Sequence, residues 1–399
     1  MDIKKLTTIR LIVSSTILLI MIIISNYLNL KVSENVSNII EYKNKVSDNG
    51  ITFEELQKAK KNNKDFKLTG LKEVPANTQN IYGVLPDREI KTKMVLTDEN
   101  HFILYPNKII RGGKIDYLSV KNGNNIVIIS DVLATSLFKN VNVIGNNINI
   151  NNEKYKIVGV YKNDKSLLYS ASQDIYERVY VPYTSYKNID KYGKNYLDII
   201  SAKETSTNGE KSIYNKLTKV VGDKLGMYCV YNYTVSKKVI YEQIRILYFI
   251  IGIVAIAFLG VIMIGHIKKM IIFFKRSMED KYLKEIIEEK PLEVKIILGK
   301  ILFCLIAVIV IFNLIKFNIV FVDKYLPTEN VFDIEFYRKA IIKDIQIANA
   351  NEDGVSNVYN RYLSNVSRIQ CLLFFMEVVT FIVVLVNIKA EKILRHIEK

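Results

Sequence analysis

The chain is short of the residues that staple small domains or carry out chemistry. Its 399 residues include three cysteines and three histidines. Cys304 and Cys371 fall in long apolar runs, and Cys229 stands alone in a polar region. That region therefore cannot close an internal disulfide. Its own hydrophobic core must hold it, and about 200 residues can supply one. His101, His266 and His396 are scattered, and no Cys/His spacing suits a metal. No metal or other cofactor is expected. The phosphate-cradling signature G-x-x-x-x-G-K-[ST] is also missing. Gly112-Gly113-Lys114 and Gly299-Lys300 lack its flanking spacing and its hydroxyl residue. There is no paired-carboxylate motif, nucleophile elbow or histidine constellation, and His101 reads as a surface residue. The chain reads as non-catalytic, with any ATP hydrolysis left to another polypeptide.

The formal charge is +16. Nucleic acid is not the inferred partner, because Lys and Arg gather beside the apolar runs, where a membrane protein needs them. Membrane lipid is.

Crossing about 30 Å of hydrocarbon takes about 20 mostly apolar residues. Leu11–Leu30, Ile244–Gly265, Ile301–Val322 and Cys371–Ile388 each meet that need. The first has the basic start of a secretion signal (Lys4, Lys5, Arg10) but is long and lacks a small-x-small cleavage site, so it reads as an uncleaved anchor. The last carries Glu377. A charged carboxylate there costs at least about 2–3 kcal/mol, so a hydrogen bond to another span or a place near the outer interface is expected. Basic residues cluster before the first run, after the second (Lys268, Lys269, Lys275, Arg276) and after the fourth (Lys389, Lys392, Arg395). With four spans these places share one side, which puts both termini in the cytoplasm. The expected layout is a cytoplasmic N-terminus and first span over 1–30, then an extracytoplasmic mixed α/β domain over 31–243. A second span at 244–265, a cytoplasmic loop at 266–300 and a third span at 301–322 follow. An outer loop at 323–370 leads to the fourth span and cytoplasmic tail at 371–399.

In the large domain, Ile39, Ile40, Phe53 and Leu56 suggest amphipathic helices rising from the membrane. Beyond them strands dominate. Ile126–Ser130 is a short β-branched run, and Asp131 is placed as the N-cap of a helix ending at Phe138. Asn146–Ile150 alternates polar and apolar, Asn151-Asn152 turns the chain, and Lys154–Tyr161 returns. Further strands are expected at Arg178–Tyr183, with Pro182 at an edge or end, at Tyr196–Ser201 and at Met227–Val235. A helix is expected over Gly209–Val221.

This order of elements resembles the periplasmic core domain of MacB-type ABC transporter permeases, a class with FtsX-like members. That family has a strand ending in Ser, a helix containing Leu-Ala and ending in Leu-Phe, an Ile-Gly turn, and two strands ending in Val-Gly-Val. Ile129, Ser130, Leu133, Ala134, Leu137, Phe138, Ile144, Gly145, Val158, Gly159 and Val160 stand at those places. Arg111-Gly112 is loosely similar to its Gly-Arg turn, and Val179–Pro182 to its later hydrophobic-Val-Pro strand. Ser130, Leu137, Phe138, Gly145 and Gly159 are thus a fold signature, not a chemical site. Gly145 suits the positive φ of an α-to-β turn, and Gly159 a close neighbouring backbone.

The resemblance implies a dimeric permease that works by mechanotransmission. A separate cytoplasmic ABC ATPase moves, and the motion passes along helices to the outer domain. A second copy or a related permease, and an adaptor or extracytoplasmic partner, are the implied companions. Export of a peptide, toxin or lipoprotein, or control of an outer partner, would be the outcome. The implied ATPase-coupling element lies in Phe273–Lys300, where Met278, Tyr282 and Ile286 stand near helical spacing and a helix is expected; Met278, Tyr282, Lys284, Glu285 and Ile286 are its candidate residues, and Pro291 starts the next helix. Lys284-Glu285-Ile286 resembles part of the family's coupling stretch, and the rest of that stretch is absent. The loop at 323–370 is longer than the family's, with a helix expected in Val331–Ala348. A different reading is a membrane-anchored sensor or scaffold without ATPase coupling.

Overall fold

The computed structural model describes the chain except residues 1–2, 46–48, 81–88, 106, 164–165, 173–175, 188–194, 205–209, 279–281, 283–287, 289–290, 321–329, 350–357 and 398–399. It falls into two compact units. One comprises Met1–Leu28, Val239–Val320 and Ile369–Lys399; the other comprises Asn29–Lys238 and Phe321–Arg368.

Helix α1 (Ile3–Asn35) leads to strand β1 (Ile40–Asn44), helix α2 (Phe53–Asn62) and strands β2 (Phe66–Asn80) and β3 (Ile90–Thr97). Next come α3 (His101–Leu104), β4 (Ile109–Gly112), α4 (Tyr117–Asn122), β5 (Ile126–Ser130) and α5 (Asp131–Phe138). Then follow β6 (Asn147–Ile150), β7 (Glu153–Tyr161), α6 (Leu167–Ser170), β8 (Glu177–Pro182), β9 (Ile199–Glu204), α7 (Glu210–Val221) and β10 (Tyr228–Asn232). The chain closes with α8 (Tyr233–Ser277), α9 (Pro291–Leu314), α10 (Ile334–Asn349) and α11 (Val358–Ile397).

Four of these helices, α1, α8, α9 and α11, are long and apolar enough to cross a membrane, and they carry the four apolar runs. With their apolar side chains exposed, as at Phe258, Phe303 and Leu372, they suit hydrocarbon rather than water. The chain is a multi-pass membrane protein. Pro291 opens α9, where its missing N–H is no loss. That helix stops at Leu314, short of the expected Val322. The following backbone is irregular, and the N–H of Asn318 is taken by a Glu242 carboxylate oxygen at 3.0 Å.

In the other unit the expected mixed α/β domain is present between the first two spans. Among the described residues ten strands form one sheet, in the order β10-β1-β9-β2-β3-β8-β5-β7-β4. Strand β6 pairs with both β2 and β7, so the path β2-β3-β8-β5-β7-β6 returns to its start. Two pairs, β3·β8 and β5·β7, are parallel. Long β2 makes this possible: it pairs with β9 over Phe66–Leu71, with β3 over Lys72–Thr78 and with β6 over Thr78–Asn80. The core is aliphatic, built on Leu96, Val127, Ile128, Ile129, Ile157, Val160, Val179 and Val181.

Local sequence explains the elements. Thr52 and Glu55 form a reciprocal capping box at the start of α2, which ends in Lys60 and Lys61 and buries Phe53 and Leu56. Ile40 is not helical: it opens β1, where Tyr42 is fully buried and neighbours β9 and β10 on either side. Five residues between two partners are a strand, and sheet pairing overrides the helical spacing. The cap of α5 is Ser130 rather than Asp131. Ser130 keeps extended backbone and accepts the Leu133 N–H, while the Asp131 carboxylate accepts from the Asn163 N–H at 3.0 Å. Asn151 and Asn152 both have positive φ, 48° and 68°, as a tight two-residue hairpin requires. Helix α10 lies within the expected Val331–Ala348 segment and one residue beyond it, and leaves Ile334 and Ile341 exposed.

Candidate functional site

The signature residues sit where the core domain turns and narrows. The Ser130 hydroxyl caps α5 and donates to Glu177 at 2.6 Å. Leu137 is buried, and Phe138 packs partly buried against the same core. Gly145 has φ +88°, and its N–H reaches the Ile157 carbonyl at 2.8 Å. Gly159 lies opposite Gly112 in the β4·β7 pair, so close that an added Cβ would collide with the Gly113 carbonyl oxygen.

The polar groups gather elsewhere. A cavity of about 80 Å³ is walled by Glu41 of β1, Glu73 of β2, Arg178 and Tyr180 of β8, and Val358 and Tyr359 in the first turn of α11. His101, Tyr105, Asn107 and Tyr169 complete its polar and aromatic lining. Arg178 donates from Nε to Glu73 at 3.1 Å. The Tyr105 hydroxyl donates to Glu41 at 3.2 Å and lies 2.5 Å from the Ser201 hydroxyl. Asn107 donates to the Tyr180 hydroxyl at 3.1 Å. The His101 ring stacks on Tyr105 at 4.7 Å and tilts against Tyr180 at 4.8 Å.

His101 is not the surface residue expected. It is 3% exposed, and neither ring nitrogen has a hydrogen-bond partner among the described residues. Burial first, and then the nearby Arg178 cation, pull its pKa down to about 3. Burial likewise pushes the Tyr105 and Tyr180 phenols up, Glu41 adding to the effect at Tyr105. The cavity therefore holds a neutral imidazole and neutral phenols at ordinary pH.

In the membrane unit a polar seam joins the helices. The Ser25 hydroxyl of α1 donates to Glu377 of α11 at 2.8 Å, and Gln370 donates to the Ser25 carbonyl at 3.1 Å. Asn387 reaches the Ser14 hydroxyl at 3.4 Å, and Asn26 donates to the Tyr248 hydroxyl of α8. Of the two places open to Glu377, it takes the hydrogen bond to another span.

The coupling residues are only partly visible. Met278 sits in a turn just past α8 and is 49% exposed; Tyr282 is in irregular backbone and 81% exposed. Neither is helical, although a helix was expected through them. Lys284, Glu285 and Ile286 lie outside the described residues.

No spacing marks the cavity residues beforehand. Glu41, Glu73 and Arg178 come from strands far apart in the sequence that the sheet order brings near one another, while His101 comes from α3 and Tyr359 from the start of α11. The seam had a sequence signal in Glu377 alone.

A family model described as the MacB-like periplasmic core domain matches residues 6–219. No curated protein matches the chain. Among solved structures, the chain is similar to the periplasmic region of MacB from Actinobacillus actinomycetemcomitans, at 16% identity over 53% of this chain and 95% of that one, with a TM-score of 0.42. It is also similar to the extracellular domain of the noncanonic ABC-type transporter YknZ from Gram-positive bacteria, at 18% identity over 49% of this chain and 100% of that one, with a TM-score of 0.38.

Proposed function

The chain belongs to the MacB-like periplasmic core domain family, of ABC transporter permeases, and from that membership we propose that it passes motion from a separate cytoplasmic ATPase to its outer domain. The observation that carries this reading is the family domain set between one membrane-crossing helix and three more. The missing phosphate-binding signature supports a non-catalytic subunit that borrows its motor. In this arrangement both termini and the 266–300 loop are cytoplasmic, and two permease copies, like or unlike, pair through the first two spans. The motion would export a peptide, toxin or lipoprotein, or act on an adaptor or other outer partner.

Contact with the motor falls to Met278, Tyr282, Lys284, Glu285 and Ile286. The exposed Tyr282 ring, beside the basic end of α8, is the strongest described candidate. Affinity purification from native membranes, followed by identification of the bound subunits, tests the proposal. An ABC ATPase should co-purify, and Tyr282→Ala or Ile286→Ala should release it. If no ATPase is recovered, the assignment fails.

One observation favours the second reading, a sensor or scaffold anchored in the membrane: Met278 and Tyr282 do not form the expected coupling helix. Under that reading the purification yields outer partners only.

A further inference from the structure

We propose that α10, with the turn that precedes it, is an interfacial helix that rests its apolar face on the lipid surface of the membrane. The chain enters α10 from α9 and leaves it for α11, and both of those helices are long and apolar enough to cross a membrane. A stretch that joins two spans starts and ends at the bilayer, so lipid is the apolar medium nearest to it. At 16 residues α10 is itself too short to cross about 30 Å of hydrocarbon.

Its apolar side chains stand far out. Val331 is 64% exposed, Phe332 87% and Ile334 80%. Side chains of the spans themselves reach similar values, as Phe303 does at 71% and Leu314 at 70%. Such exposure recurs along the chain from Leu314 at the end of α9, through Ile319, to Val331 and α10. Apolar residues scattered singly need no partner, but several in one short segment mark an interaction surface.

That surface is built rather than loose. The Asp333 carboxylate accepts the Phe336 N–H at 3.1 Å, and the Asn330 side chain accepts the Phe332 N–H at 3.0 Å. The Tyr337 hydroxyl donates to the Val331 carbonyl at 2.9 Å, which ties the turn to the helix. Ile334 and Ile341 stand at i and i+7 and share one helix face. Beside that face Glu335 lies 2.6 Å from Arg338 and 3.7 Å from Lys339. An apolar face flanked by charged residues lets a helix lie in the interface plane. A second copy or an outer partner protein is the competing occupant. Lipid is favoured because the chain reaches it from both ends of this segment.

The chain has no tryptophan, so one introduced residue is a unique reporter. The test uses full-length Ile341→Trp, Phe332→Trp and Lys339→Trp chains in phosphatidylcholine nanodiscs, with and without bromine near the headgroup end of the acyl chains. Ile341→Trp and Phe332→Trp should emit at shorter wavelength than Lys339→Trp and be quenched about twofold by the brominated lipid, because an interfacial helix buries its apolar face at about that depth. Lys339→Trp should be quenched by aqueous iodide instead. Phe332→Trp alters only an exposed ring and decides the matter if Ile341→Trp does not fold. Iodide quenching of Ile341→Trp or Phe332→Trp without lipid quenching would place the face in water and overturn the proposal. Quenching by neither agent would show a protein cover and overturn it as well, as would equal lipid quenching of Lys339→Trp.

Discussion

Ser25 and Glu377 lie 352 positions apart in the sequence, yet the serine hydroxyl donates to the glutamate carboxyl at 2.8 Å. The carboxyl-bearing residue is 1% exposed. Gln370, two turns before Glu377 on the same helix, reaches the carbonyl of that same serine. The first and last spans are thus tied at one level by two hydrogen bonds. In hydrocarbon no water stands ready to replace a lost partner.

Removing the Ser25 hydroxyl should therefore loosen this tie. Ser25→Ala should destabilise the chain in detergent by about 1 kcal/mol, within the range measured for bonds between membrane helices. Glu377→Gln should cost less, because the amide oxygen still accepts. Thermal unfolding of the purified variants measures both, and a Gln variant as damaged as Glu377→Leu would contradict the assignment.

Acid should weaken the sheet domain through His101. Its folded pKa is about 3, far below the value near 6.5 of an unfolded chain. Above pH 6.5 neither state binds the proton, and the stability is fully present. As pH falls from 6.5 toward 3, only the unfolded state takes it up, and stability is lost at about 1.4 kcal/mol per pH unit. His101→Phe should remove that slope. Denaturant titrations at pH 7 and pH 5 should differ by about 2 kcal/mol more in the wild type than in the variant.

Lys60 and Asp98 form a second point of stress. The Asp98 side chain is inaccessible, lies 2.8 Å from the Lys60 ammonium, and also accepts from Thr69, the Gly70 N–H and the Asn100 N–H. Lys60→Met strips the cation and should cost about 3–5 kcal/mol, the usual result of leaving one buried charge alone. Changing both residues to apolar ones should cost less than the single change. Chemical denaturation of the three variants measures the difference.

Gly159→Val should fail where most strand substitutions succeed. Valine favours strands in general, but here its Cβ would strike the Gly113 carbonyl and push β4 off β7. Loss of soluble, folded domain, or a clear drop in melting temperature, is the expected outcome.

The spans, the β5–α5–β6–β7 run and the family pattern were legible in the sequence, because apolar length, β-branched clustering and turn asparagines are local signals. Helix α2 and the start of α9 at Pro291 were legible for the same reason. Strand β1 was not, since Ile40 gains its strand state only from neighbours that lie about 160 and 190 residues later in the chain. Strand β2 alternates in burial over Lys72–Asn80, but its buried face carries Lys72, Thr78 and Asn80 beside Val74 and Ala76, so no apolar alternation marks it, and β3 ends in Met94–Thr97, buried on both faces. His101 was misjudged because a lone histidine says nothing of the three aromatic rings that enclose it. The cavity depends on strand order and on the start of α11, neither of which is a local signal.

Helix α11 runs for 40 residues without a glycine or a proline. At about 1.5 Å per residue that is roughly 60 Å, about twice the thickness of a membrane's oily interior. It has none of the usual places for a sharp kink. Any curvature in it is therefore expected to be spread over many turns rather than gathered at one hinge.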